Sequence, residues 1–138
     1  MNPFEKNIIK EYKYWVVNLH NNQGYLGRCV VWCKRENASE LMDVSQEEKE
    51  ELFFILAELR DAVNKSFQPD WFNYCFLGNI VRHLHCHLIP RYEKERKFGE
   101  VTFKDKRWGQ NYRTDENFKI SERLFEKIKD AIKKNLEK

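Results

Sequence analysis

Three histidines, His83, His85 and His87, occupy alternate positions in the run His83-Leu84-His85-Cys86-His87-Leu88-Ile89-Pro90. Alternate residues of an extended strand share a face. The spacing therefore predicts three imidazoles in a row, about 6–7 Å apart from Cα to Cα, with Leu84, Cys86 and Leu88 turned to an apolar interior. Imidazole titrates near neutrality, so one ring can attack phosphorus while a neighbour handles a proton. The attacking ring needs its other nitrogen held by a hydrogen bond, and a backbone carbonyl can supply it. As a zinc site the row is less complete: the outer two lie roughly 13 Å apart, so two neighbours at most chelate one ion and further ligands must come from elsewhere. The plain alternative, half-exposed strand residues or a tag remnant, does not explain alternation with core residues.

The elements that must position this row can be read from periodicity. Lys13 to His20 and Tyr25 to Lys34 are rich in Trp, Val and Tyr, and Asn21-Asn22-Gln23-Gly24 between them predicts a β-hairpin. Ser45 with Glu48 forms a capping-box pattern, and Leu52, Ile55, Leu56, Leu59, Val63 and Phe67 repeat at helical spacing, which predicts a helix from Gln46 to Phe67. Pro69 and Asp70 end it, and Trp71 to Leu77 and Val81 to Ile89 follow as two antiparallel strands around Gly78 and Asn79. Residues 91–117 are charged and weakly periodic, a long loop with one short strand near Val101 to Phe103. Ser121 caps a last helix, over about 119–137, whose apolar face is Leu124, Phe125, Ile128, Ala131, Ile132 and Leu136. The fold class is α+β: an antiparallel sheet of about five strands, one long central helix and a C-terminal helix, in a single domain over residues 1–138 with its core over about 12–92.

Composition narrows the function classes. The 138 residues carry a net charge of +3, which permits a small anionic substrate but does not mark a nucleic-acid binder. No secretory signal or membrane-spanning stretch is apparent, so a soluble cytoplasmic protein without membrane partners is expected. Cys29, Cys33, Cys75 and Cys86 sit in apolar strand contexts and are expected as reduced, buried thiols; a strand would hold Cys29 and Cys33 roughly 13 Å apart, too far for one zinc ion. A glycine-rich phosphate loop with its lysine is missing, which argues against a kinase or motor-type NTPase.

The run His-Leu-His-Cys-His-Leu-Ile resembles the signature of the histidine-triad family, and Asn73-Tyr74, Leu77-Gly78-Asn79 and Pro90-Arg91-Tyr92 are similar to its prokaryotic diadenosine tetraphosphate hydrolase-like branch. The resemblance covers about Tyr12 to Tyr92. It implies that His85 is a nucleophile forming a nucleotidyl-histidine intermediate, that His87 contacts the leaving oxygen and manages its proton, and that His83 orients His85 through its backbone carbonyl. Transferase relatives carry Gln at the third position, so His87 favours hydrolysis. The implied substrates are dinucleoside polyphosphates, such as diadenosine tetraphosphate, or nucleoside phosphoramidates, and the implied assembly is a homodimer. A divalent cation could accompany the polyphosphate; no protein-only metal site is expected.

By the same resemblance Asn22 would hold the ribose hydroxyls, and Asn73 and Asn79 would contact phosphates. Asn22 and Asn79 are equally suited to turns. Cys86 stands where the branch commonly has a larger residue, and Arg82 where Pro is frequent. The basic residues Arg91, Arg96, Lys97, Lys104, Lys106, Arg107 and Arg113, interleaved with Tyr92, Phe98, Trp108 and Tyr112, suggest a polyphosphate channel. Two other functions share the pattern: a nucleotide-binding or signalling module with little turnover, and a zinc-binding protein.

Overall fold

A computed structural model describes residues 5–137. Five antiparallel strands form the main sheet in the order β1-β2-β3-β5-β4: β1 (Ile8–Glu11), β2 (Trp15–Leu19), β3 (Cys29–Cys33), β4 (Trp71–Cys75) and β5 (His85–Arg91). β6 (Arg96–Phe98) and β7 (Val101–Phe103) make a separate two-stranded hairpin. Helix α1 spans Gln46–Phe67 and helix α2 spans Glu122–Leu136. The architecture is α+β, with a five-stranded sheet and two helices.

The fifth strand of the sheet is β1, not the predicted strand near Val101, which is β7 in the small hairpin. β1 is four residues long with a register irregularity against β2, too short to show a period. The strand predicted over Trp71 to Leu77 ends at Cys75, and the one predicted over Val81 to Ile89 is displaced to His85–Arg91. Residues 91–117 are less irregular than expected because Arg96–Phe98 pairs with Val101–Phe103.

Register divides the sheet into two faces. Trp15, Val17 and Leu19 of β2, Cys29, Val31 and Cys33 of β3, and Cys86 and Leu88 of β5 are buried. Together with Leu52, Ile55, Leu59, Val63 and Phe67 of α1 they form the core. Each such side chain contributes roughly 1.5–3 kcal/mol of burial. The α1 capping box is complete: the Ser45 hydroxyl accepts from Glu48 N–H, and the Glu48 carboxylate accepts from Ser45 N–H. α2 starts at the Ser121 cap and packs its Ile128 and Ile132 side against α1, where Asn135 donates to the Ser66 hydroxyl at 2.8 Å.

At the far end of β5 the loop after it is tied down by charge. Arg91 and Asp105 form a buried ion pair at 2.7 Å. Arg91 also donates to Asn73 Oδ1 and to the carbonyls of Arg107 and Gln110, while Asp105 accepts from the backbone N–H of Tyr92 and Arg107.

Candidate active site

The opposite face of the sheet carries the histidines. His85 lies opposite Trp32 and His87 opposite Val30 on β3, and Val30 in turn lies opposite Asn18 on β2. Directly opposed residues share a face. Asn18, Val30, Trp32, His85 and His87 therefore line one cleft, of about 680 Å³, closed further by Asn7, Leu19, His20 and Val81.

His83 lies ahead of β5, not within it. The three rings are consequently not a straight row. The His83 ring stacks on Trp32 with centroids 4.2 Å apart, and its Nε2 is 2.6 Å from the Cys33 carbonyl. A carbonyl only accepts, so Nε2 donates. His83 in turn offers its own carbonyl to His85 Nδ1 at 2.5 Å. The proton on Nδ1 leaves the His85 Nε2 lone pair free. His87 sits edge-on to His85, with centroids 4.9 Å apart.

The fourth histidine joins them. His20 lies 5.8 Å from the His87 ring, its Nδ1 accepting from Asn22 N–H at 2.9 Å. The connection between β2 and β3 is built around the fully buried Gln23, which donates to the carbonyls of His20 and Arg28 and accepts from Gly27 N–H. Gly27 has φ +90°, and a Cβ there would meet Phe67 and Val63 at 3.1–3.3 Å, so α1 packs where no side chain can be. The next residue, Arg28, is buried against the histidines: Nη2 lies 3.5 Å from His87 Nδ1 and Nη1 donates to Thr114 Oγ1 at 2.8 Å.

This surrounding keeps two histidines neutral. Burial, then the Arg28 guanidinium, then His85 and His20 pull His87 down to about 3. Burial and Arg28 pull His20 down to about 4, against a smaller opposing pull from the Asn22 carbonyl. The thiols move the other way. Burial raises Cys29, Cys33, Cys75 and Cys86, the last to about 12, and all four are unpaired. They are structural groups, not nucleophiles.

The three asparagines named from sequence lie apart. Asn22 Oδ1 accepts from Gly24 N–H and its amide donates to the Asp115 carbonyl, the arrangement of a side-chain-stabilised turn. Asn73 is engaged by Arg91 and lines a second cleft with Trp71 and Trp108. Asn79 is exposed on the segment before Val81.

Sequence reasoning missed Asn18, whose Oδ1 is buried beside the triad without a hydrogen-bond partner. Its signal was a lone polar residue in Trp-Val-Val-Asn-Leu. Asn7 is a second case: its amide donates to Leu19 and Asn21 while its own Oδ1 is unpartnered.

The basic side chains after β5 do not line the triad cleft. Arg91 is spent on Asp105, Arg96 on the Gln68 carbonyl and Asp70, and Arg107 on the Asn111 carbonyl. What reaches the site from that loop is neutral: Thr114, and Tyr112, whose ring lies 5.0 Å from the Arg28 guanidinium carbon. No group of three or more His, Cys, Asp or Glu side chains among the described residues is arranged to hold a metal ion.

Comparison with known proteins identifies the fold. A family model described as the HIT domain matches residues 3–94. Among solved structures, a hypothetical histidine triad nucleotide-binding protein from Sulfolobus tokodaii superposes with a TM-score of 0.73 at 16% identity, covering 95% of this chain and 83% of its own. A histidine triad protein from Sinorhizobium meliloti gives 0.72 at 21% identity, with 96% and 92% covered. A zinc-bound histidine triad family protein from Mycobacterium smegmatis gives 0.65 at 18% identity, with 94% and 83% covered. No curated protein matches the sequence. None of the described helices is long and apolar enough to cross a membrane.

Proposed function

The chain belongs to the HIT domain family, and from that premise we propose that it is a hydrolase cleaving at the α-phosphate of dinucleoside polyphosphates or nucleoside phosphoramidates. The observation that carries this reading is the His85 ring itself. Its Nδ1 is held by the His83 carbonyl, so its Nε2 lone pair faces a cleft large enough for a nucleotide.

In this reading His85 Nε2 attacks the α-phosphorus and forms a nucleotidyl-histidine, which water hydrolyses. His87 meets the bridging or leaving oxygen, and His83 acts by positioning His85. Val16, Val30 and Trp32 supply an apolar wall suited to a base. Asn18, with its unpartnered Oδ1, takes the ribose-hydroxyl role in place of Asn22, whose amide is committed to its turn. Asn79 keeps its assignment as a phosphate contact, and Asn73 is reassigned to the loop anchor through Arg91. A divalent cation, where used, arrives with the polyphosphate.

The assembly we propose is a homodimer joined at β4. That strand is an edge of the sheet with Trp71 and Tyr74 exposed, and Leu77 and Ile80 beyond it are exposed as well. An unpaired edge bearing large apolar side chains invites pairing with a second copy. A monomeric mass by light scattering at micromolar concentration would contradict it.

The deciding experiment is product analysis of wild type and His85→Ala after incubation with diadenosine tetraphosphate and with an adenosine phosphoramidate. Products from wild type alone, with a nucleotidyl adduct on His85 trapped by denaturation at alkaline pH, support the hydrolase. Tight nucleotide binding with neither product would instead assign the chain to nucleotide binding without turnover.

A further inference from the structure

Arg28 is a buried cation beside the reacting histidines, 3% exposed, and no carboxylate pairs with it among the described residues. Thr114 Oγ1 accepts from Nη1, the Tyr112 ring faces the guanidinium, and Nε is buried without a partner. Burying a guanidinium without a counter-ion is costly. A fold keeps such a group where it acts on something, and the remaining nitrogen, Nη2, lies at His87 Nδ1.

A guanidinium has donors only. Its approach to Nδ1, at 3.5 Å, favours the imidazole lone pair there, which puts the single proton of neutral His87 on Nε2. An imidazolium would set N–H against N–H and a second positive charge beside a buried one. The groups facing His87 offer no compensation: Arg28 at the start of β3, His85 on its own strand, His20 at the end of β2 and Cys75 opposite it on β4. None is a carboxylate.

We propose that Arg28 is a positioning residue that holds His87 as the neutral Nε2–H tautomer, so that the site assists leaving groups that depart as anions and supplies no proton to those that depart as amines. This rests on the nucleotidyl-transfer reading above and names which of its two substrate classes the site is built for. With a dinucleoside polyphosphate, His85 Nε2 bonds to the α-phosphorus and the bridging P–O bond breaks. The electron pair leaves on the polyphosphate oxygen, which His87 meets with a hydrogen bond while keeping its proton. Water then bonds to phosphorus, the P–N bond breaks back to His85, and the second water proton passes to solvent. A phosphoramidate needs a proton on its nitrogen as the P–N bond breaks. His87 could give one only by becoming an imidazolate, which Arg28 cannot prevent by accepting or returning a proton. Phosphoanhydrides are the favoured class.

The test reads His87 directly, through long-range ¹H–¹⁵N spectra of ring-labelled protein between pH 5 and 8, for wild type, Arg28→Met, Arg28→Lys and Thr114→Val. Wild-type His87 is expected as the Nε2–H tautomer across the range. In Arg28→Met it takes up protons within the range, and Arg28→Lys returns it toward the wild-type pattern. In kinetics, Arg28→Met lowers the kcat/KM ratio of diadenosine tetraphosphate to adenosine phosphoramidate by about tenfold or more, through kcat, and Arg28→Lys recovers part of it. Thr114→Val, which loosens the anchor and keeps the charge, shifts the ratio the same way by less. A wild-type His87 protonated at Nδ1, or an Arg28→Met protein with unchanged tautomer and ratio, overturns the proposal. The spectra require no turnover: a wild type with the Nε2–H tautomer but no hydrolysis would overturn the hydrolase and leave the Arg28 assignment standing.

Discussion

Two buried arginines flank β5, and the pair differ in what surrounds them. Arg91, the last residue of β5, is matched on every side: two contacts to Asp105, one to Asn73, two to backbone carbonyls. Arg28, packed against His87 from just ahead of β3, has a threonine, an aromatic face and a histidine nitrogen, with Nε left over. Asn18 Oδ1 and Asn7 Oδ1, both lining the same cleft, are left over too. Fully paired polar groups hold a loop in place; unpaired ones beside a cleft are groups the fold has reserved for something that enters it.

The sharpest way to break this comparison is to remove one group from the reactive cluster and one from the anchor. His85→Ala is expected to reduce turnover of diadenosine tetraphosphate by at least ~10³-fold, with a thermal midpoint close to wild type. Asp105→Asn is expected to do the opposite. It strands Arg91 as an uncompensated buried charge and costs about 3–5 kcal/mol in a urea melt, while kcat per folded molecule stays near wild type. An Asp105→Asn protein of unchanged stability would mean that the anchor is ornamental.

A smaller effect is expected from pH. The unfolded chain takes up protons on His20 and His87 as pH falls through the ordinary value of 6.5, whereas the folded chain resists until about 4 and about 3. Their folded pKa values are lowered, so stability is full above 6.5 and is lost below it. Each histidine adds a slope of up to ~1.4 kcal/mol per pH unit. Denaturant midpoints at pH 7.5, 6.0 and 5.0 measure this, and Arg28→Met should flatten the slope. Equal slopes in the two proteins would remove Arg28 as a cause.

Asn18→Ala comes next. It deletes an acceptor that the protein leaves unpaired, so stability should move by less than ~0.5 kcal/mol. KM for the nucleotide should rise by roughly tenfold, the effect of losing one or two ribose hydrogen bonds. A large loss of stability with unchanged KM would show Asn18 to be structural.

Much of this arrangement was legible before folding because it follows from period and punctuation. Ser45 and Glu48 announce α1, the Leu-Ile-Leu repeat gives its buried side, and alternation at His85-Cys86-His87 puts the two rings on one face and the thiol on the other. What was hidden depends on neighbours far along the chain. Ile8–Glu11 is too short to show alternation and becomes a strand only by pairing with β2. Arg96–Phe98 reads as charged loop until Val101–Phe103 closes on it. Asn22 and Asn18 are the same residue type four positions apart. Only register tells that one completes a turn and the other crosses Val30 toward His87. Nothing local in Gly-Arg-Cys-Val says that the Arg28 guanidinium is buried.

The smallest expected effect tests the basic loop. Its charges and aromatics suggested a channel for polyphosphate, yet Arg107 donates to the Asn111 carbonyl within its own loop and Trp108 faces the second cleft with Trp71. Neither lines the cleft at His85. A loop that satisfies its own cations has little field left to offer a substrate across bulk solvent, where separations beyond about 8–10 Å are screened at physiological salt. Alanine at Arg107 and Trp108 together is therefore expected to leave KM for diadenosine tetraphosphate within about twofold of wild type at physiological salt. A larger rise in KM, growing as salt is lowered, would place the far end of the polyphosphate along this loop. The boundary between the anchor around Arg91 and the reactive cluster around His87 would then have to be redrawn to include Trp108.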